Sequence, residues 1–222
     1  MTGDLFAEQP ASGAPERIEA LGPGAAVLRG MAMPWAPALH EAVGAVVREA
    51  PWRHMLTPGG HAMQVAMTNC GSLGWTSDRR GYRYTRTDPA SGRPWPAMPA
   101  AFLALAAEAA ALVGFDHFVP DACLVNRYLP GHKLALHQDR DEADLSAPIV
   151  SVSLGLPAIF QFGGHARGDR PVRVPLGHGD VVVWGGPDRL RFHGVLTLKP
   201  GDHPALGGQR INLTMRQAGP LG

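Results

Sequence analysis

From Ala122 to Arg216 the chain is cut into short runs of alternating or wholly apolar residues, most of them ended by a turn signal. The runs are ACLVNRY, HKLALHQ, IVSVSLG, AIFQFGG, VRVPL, DVVVWGG, RFHGV and RINLTMR. Pro130-Gly131, Gly155 to Pro157, Gly177 to Asp180 and Gly185 to Asp188 stand between them, and such residues set tight turns and cannot continue a helix or a central strand. Eight short strands in about 95 residues suit a double-sheet jelly roll or a barrel. The 28 glycines and 21 prolines of the 222-residue chain are spread along it, which argues against a helical protein and for a β-rich one.

Upstream of this region the period changes. Pro34 begins a predicted helix in which Leu39, Val43, Val46 and Val47 recur at helical spacing through Ala50, with Pro51 as its stop. A second is predicted from about Pro99 to Val113, with Phe102, Leu105, Ala109 and Leu112 on one face and Gly114 ending it. Both read as helices flanking a sheet. Residues 1–24 have no sustained period and are expected to form a flexible N-terminal arm, and residues 25–222 one catalytic domain. Within it, residues 122–218 are the expected jelly-roll core. Residues 57–96, rich in Gly and Pro around short strand-like pieces, are expected to lie over that core as a lid.

Bulk charge decides little: at +1 the chain has no whole-molecule field that marks a polyanionic partner. Its two cysteines, Cys70 and Cys123, are too few for a disulfide framework or a four-cysteine zinc site, and suit a reducing compartment. No basic leader followed by an apolar run opens the sequence, and no stretch of about 18 apolar residues occurs. A cytoplasmic protein with no membrane partner is therefore expected, and a monomer.

In HKLALHQDRD, strand alternation puts His137 and Asp139 on one face and Leu134 and Leu136 on the other. With His193 from RLRFHGV they make two imidazoles and a carboxylate, a set that leaves open positions on iron(II). Zinc accepts the same ligands, and with ten histidines in the chain an HxD pair also arises in ordinary solvated turns. The segment RINLTMR raises the specificity. Arg210, Asn212, Thr214 and Arg216 share one face while Ile211, Leu213 and Met215 share the other. Guanidinium groups grip carboxylates through paired charge-assisted hydrogen bonds, which suits a dicarboxylic acid such as 2-oxoglutarate. Asn126 and Tyr128, two apart in VNRY, add polar groups for the same cosubstrate.

Taken together, the segments VAMTNCGSLGW, PDACLVNRY, LHQDRDE, APIVSVSLGLPAIFQFGG, HGDVVVWGG and NLTMRQAG make the chain resemble the AlkB family of alkylation-repair dioxygenases from roughly Val27 to Ala218. The resemblance implies a double-stranded β-helix, with iron(II) held by His137, Asp139 and His193. It implies that Asn126, Tyr128, Arg210, Asn212 and Arg216 surround 2-oxoglutarate. With O2, the cosubstrate is oxidatively decarboxylated to succinate and carbon dioxide, and an N-methyl group on a damaged base is hydroxylated and lost as formaldehyde. The implied substrates are bases such as 1-methyladenine and 3-methylcytosine in single- or double-stranded DNA, with RNA as a further polymer.

On the substrate side, Trp75 matches the family's base-stacking residue, with His137 on the base's other side. Flanking Gly71 and Gly74 are expected to keep Trp75 on a loop. Asp141 shares the strand parity of the HxD pair and is expected to aid catalysis by facing the positive charge of a methylated base, although Asp139 to Asp144 also reads as a solvated acidic cluster. Tyr82 and Arg167 match family positions near the nucleic acid, Met67 and Leu124 its pocket wall, and Thr57 the lid. His61 departs from the family's aromatic hydroxyl, and HARGDRPVR differs in detail around Arg167. Arg79, Arg80, Arg83 and Arg86 interleave with Tyr82 and Tyr84, a composition suited to phosphates and sugars. Two alternatives use the same residues: an oxygenase of a protein side chain or small molecule, and a metal-binding jelly-roll module without catalysis.

Overall fold

Alternation along the later strands is resolved into two different buried environments. In the computed structural model, which describes residues 13–219, the elements in chain order begin with β1 (Arg17–Gly22), β2 (Ala25–Arg29) and α1 (Ala36–Glu49). They continue with β3 (Ala66–Gly71), β4 (Gly74–Asp78), β5 (Gly81–Thr85), α2 (Ala100–Ala111), β6 (Ala122–Tyr128), β7 (Leu134–His137) and β8 (Ile149–Gly155). The last are β9 (Ala158–Phe162), β10 (Val172–Leu176), β11 (Val181–Trp184), β12 (His193–Val195) and β13 (Arg210–Arg216).

The major sheet has the order β1-β2-β11-β8-β13-β6-β3, the minor sheet β10-β9-β12-β7, and β4 and β5 form a separate hairpin. Neighbouring strands are antiparallel throughout, and the two sheets make a double-stranded β-helix. Both helices cover the outer face of the major sheet. Leu39, Val43 and Val46 of α1 and Phe102, Leu105 and Ala109 of α2 join Val125, Val150, Val152, Val181, Ile211, Leu213 and Met215 in one core. Ile149, Phe160, Phe162, Val182 and Trp184 fill part of the space between the sheets. The strands of the major sheet other than edge strand β1 are thus buried on both faces, and a polar side chain on their inner face is enclosed rather than solvated.

The expected strands and both helices are present. Leu112, expected on the buried face of the second helix, instead lies at its C-terminal end and is 45% exposed. The sheet also reaches further upstream than residue 122, because β1, β2 and β3 complete it. Residues 1–12 of the expected arm lie outside the described residues, but Arg17–Gly22 is a paired edge strand rather than a loose segment. Its pairing is set by β2, whose Ala25, Ala26, Val27 and Leu28 are all buried.

Candidate active site

The triad forms where the two short strands of the minor sheet meet. His193 in β12 is the direct cross-strand partner of His137 in β7, and Asp139 follows two residues beyond His137. The close approach of these strands requires glycine at position 194: a Cβ there would stand 2.7 Å from the Leu134 carbonyl oxygen. The ligand atoms of His137, Asp139 and His193 all lie within 4.8 Å of one another. His137 Nε2 is 3.5 Å from Asp139 Oδ1, and His193 Nε2 is 3.8 Å from Asp139 Oδ2. Each imidazole directs Nδ1 to a backbone carbonyl, Ala135 O at 2.9 Å and Arg191 O at 3.1 Å. Those carbonyls take the Nδ1 proton, which leaves both Nε2 lone pairs for a metal ion.

Electrostatics favour the same state at His193; at His137 burial would lower the imidazole, but the Asp139 carboxylate outweighs it and raises it, so a metal ion there displaces the Nε2 proton. Burial, reinforced by His137 beside it, pushes His193 down to about 3, so it is neutral near pH 7. Burial would raise the Asp139 carboxyl, but Arg216, His137 and His193 outweigh it and hold the group well below the usual carboxylate range. Two neutral nitrogens and one carboxylate oxygen fit iron(II) with positions left for other ligands.

The five expected cosubstrate residues line the inner face of β6 and β13 in register. Tyr128 pairs with Arg210 and Asn126 with Asn212, while Arg216 closes the row opposite Ala122. Arg210 is 1% exposed; its Nη2 donates to Ser153 Oγ at 2.9 Å and its guanidinium carbon lies 5.1 Å from the Tyr128 ring centre. Its Nε and Nη1 have no partner, and Asn126 Oδ1 is likewise unpartnered. A buried guanidinium with two idle donors is costly unless an anion meets it, so these residues fit a carboxylate of 2-oxoglutarate. Burial also lowers the Arg210 pKa, with Tyr128 beside it acting against that, and an anion bound here would oppose it further. Arg216 differs: its Nε and Nη2 donate to Asp139 Oδ2 at 2.9 and 2.5 Å. Asn212 is committed to Ser151 Oγ, Val152 O and Thr214, with Asn126 at 3.5 Å, so it orders its neighbours.

Of the residues expected on the substrate side, Met67 and Leu124 pack with Tyr128 and Trp75 in one apolar cluster beside this row. Trp75 sits on strand β4, not on a loop. Glycine precedes it because a Cβ at position 74 would stand 2.4 Å from the Trp95 ring. Buried Asn69 brackets the Trp75 backbone, accepting its N–H at 3.0 Å and donating to its carbonyl at 2.9 Å. The indole stacks on Tyr82 with centroids 5.5 Å apart, and its Nε1 donates to Asp141 Oδ2 at 2.9 Å. Arg167 donates to Leu136 O at 3.0 Å and lies 5.0 Å from the Phe192 ring centre. Thr57 accepts the His61 N–H at 3.2 Å in a turn that Ser77 Oγ ties to β4 through Leu56 O at 2.6 Å.

Two readings of charged residues are corrected. Arg83 is engaged by Asp78 at 2.6 and 2.9 Å, so Arg79, Arg80 and Arg86 are the exposed arginines of that hairpin. Glu142 is no part of a solvated cluster: it is 8% exposed, accepts the Tyr84 hydroxyl at 2.7 Å and faces Arg189 at 3.1 Å. Asn69, Tyr84, Glu142 and Arg189 were not singled out as site residues. Tyr84 was legible only as part of the basic, aromatic run RRGYRYTR, and Asn69 and Glu142 only as members of the segments VAMTNCGSLGW and LHQDRDE; for Arg189 the sequence holds no signal.

The 2OG-Fe(II) oxygenase superfamily profile matches residues 24–216. The alpha-ketoglutarate-dependent dioxygenase AlkB of Salmonella typhimurium is 56% identical over 215 residues, covering 97% of each chain. That of Escherichia coli K12 is 56% identical over 216 residues, 97% of this chain and 98% of the relative. Among solved structures, OsALKBH1 superposes with a TM-score of 0.78 at 28% identity, over 90% of this chain and all of that one.

Proposed function

The chain belongs to the AlkB dioxygenases of the 2OG-Fe(II) oxygenase superfamily, and from that premise we propose that it oxidatively demethylates N-alkylated bases in DNA and, as a further polymer, RNA. Bases such as 1-methyladenine and 3-methylcytosine are its substrates, and formaldehyde and succinate its products. The observation that carries this reading is Arg210, a buried guanidinium with two idle donors on the strand row that ends beside the His137, Asp139 and His193 triad.

Iron(II), 2-oxoglutarate and O2, when bound, supply the oxidation that turns an N-methyl group into an N-hydroxymethyl group, which leaves as formaldehyde. The chain's own residues do the rest. His137, Asp139 and His193 hold the metal, with their Nδ1 carbonyl partners keeping the imidazoles oriented. Arg210, Tyr128, Asn126, Asn212 and Arg216 hold and align the dicarboxylate. A base enclosed in a duplex must first be extruded, at a cost of a few kcal/mol that is smaller where methylation already blocks pairing. Trp75 stacking returns about 1 to 3 kcal/mol, with Met67 and Leu124 as the apolar wall and His137 on the base's other side.

Asp141 orients the indole and places a carboxylate beside the positive charge that methylation leaves on the ring. Residues 57–96, carrying Thr57, Trp75 and Tyr82, act as the nucleotide-recognition lid, and Arg79, Arg80, Arg86 and Arg167 meet the phosphates. No helix among the described residues is long and apolar enough to cross a membrane. The two free, buried cysteines suit the reducing cytoplasm.

Cosubstrate binding tests the carrying observation. With manganese(II) in place of iron, 2-oxoglutarate is expected to bind the unsubstituted chain, and Arg210→Lys to weaken that binding roughly tenfold to a hundredfold, since lysine cannot reproduce the paired geometry. Equal affinity for both proteins removes Arg210 from the site.

A further inference from the structure

The buried acid beside the triad connects two parts of the molecule that the sequence separates widely. Tyr84 Oη donates to Glu142 Oε1 at 2.7 Å, and the same oxygen is 3.4 Å from Arg216 Nε. Arg216 in turn holds Asp139 Oδ2, one of the ligand oxygens. The second arginine around Glu142, Arg189, faces its other oxygen at 3.1 Å and donates to the Asp139 backbone carbonyl at 2.6 Å and Ala147 O at 3.0 Å. Glu142 therefore touches both arginines that hold Asp139 in place.

At its other end the chain of contacts reaches the base-contact hairpin at a specific rung. Trp75 and Tyr84 are direct cross-strand partners in β4 and β5. The residue proposed to stack on the base thus shares its rung with the residue that reaches Glu142. The adjacent acids receive the two: exposed Asp141 takes the indole N–H, and buried Glu142 takes the phenol.

We infer that Glu142 is a positioning residue that couples the base-contact hairpin to the occupancy of the iron and 2-oxoglutarate site, through Tyr84 on one side and Arg216 on the other. The inference rests on the functional reading above only in identifying that site. Two acids, Asp139 with its side chain 10% exposed and buried Glu142, share two buried arginines, Arg189 and Arg216. A metal ion engages Asp139 and a dicarboxylate engages the arginine row, which changes the balance of charge that Glu142 faces. The Tyr84 hydroxyl carries that change to the hairpin. A purely structural Glu142 would need only its two arginines, and the hydroxyl would be dispensable.

Hydrogen exchange on the intact chain separates these cases, with and without manganese(II) plus 2-oxoglutarate and with no nucleic acid present. In the unsubstituted protein, adding both is expected to slow exchange across residues 74–85 by about tenfold, the scale of one hydrogen bond to a charged group. Tyr84→Phe keeps the ring and leaves Glu142 with both arginines; its hairpin response is expected to fall below about twofold, while β7 and β13 respond as before. Glu142→Gln is expected to lose the hairpin response too, although its amide oxygen can still accept the phenol. A full response in the Tyr84→Phe protein, or none in the unsubstituted one, would overturn the coupling. Demethylation assays are independent of this readout: a chain that releases no formaldehyde but shows the response retains the coupling and loses the proposed substrate.

Discussion

At the scale of the residue, buried charged groups divide into those fully hydrogen-bonded within the chain and those with polar atoms left unpaired. Arg210 belongs to the second kind, while Asp88, between β5 and α2, belongs to the first. Burial alone would raise the Asp88 carboxyl, but Arg53, the Ala90 N–H and the Ser91 hydroxyl hold it below its ordinary value of 3.8. A depressed carboxyl contributes stability that is complete above its ordinary value and fades as the pH falls through the folded one. Thermal unfolding of the unsubstituted chain is therefore expected to become steeply pH-dependent below about pH 4. Asp88→Asn is expected to cost about 1 to 3 kcal/mol at neutral pH and to flatten that dependence. An unchanged acid slope in the variant would remove the pair of Arg53 and Asp88 from the chain's stability.

Legibility in the sequence follows the same division. His137, Asp139 and the Arg210 to Arg216 row could be read because alternation places them and only their chain order has to be known. Glu142 could not, since its neighbours from Asp139 to Asp144 look like any acidic turn. Its burial is decided by Arg189 and Arg216, far along the chain.

At the scale of the element, the strands from Ala122 onward were legible because turn residues punctuate them and their two faces differ in polarity. Of the strands before it, β1 and β2 were not legible, and those within residues 57–96 showed only as short strand-like pieces with no sign that β3 joins the major sheet. β1 is an edge strand with much of its surface exposed, so no apolar period marks it, and β3 is buried on both faces by residues of mixed polarity. The Gly74 reading failed for a related reason: glycine there answers the close approach of Trp95, a tertiary fact, and not a need for loop flexibility.

Gly194 is the element-scale counterpart, because β12 lies between β7 and β9 and brings His193 opposite His137. Gly194→Val is expected to force the Leu134 carbonyl away and to destabilise the chain by about 1 to 3 kcal/mol. Metal affinity should fall with it, as read by manganese(II) titration of the folded protein. A stable variant with unaltered metal affinity would show that the strand spacing does not set the ligand geometry.

At the scale of the whole molecule, two sheets enclose a polar row that no solvent-facing sheet would carry, and a separate hairpin is tied to it by Trp75, Asn69 and Tyr84. Relatives 56% identical over nearly their full length share the oxygenase chemistry by name, while the bonds just described say how this chain's residues are arranged for it. The measurement that tests the account most directly is a single turnover. Iron(II), 2-oxoglutarate and a 1-methyladenine oligonucleotide are loaded without oxygen, O2 is admitted, and succinate and formaldehyde are counted. Equal amounts of the two from the methylated oligonucleotide, and no formaldehyde from its unmethylated counterpart, are predicted. Succinate without formaldehyde would contradict the assigned substrate, and neither product from an iron-loaded protein would contradict the account as a whole.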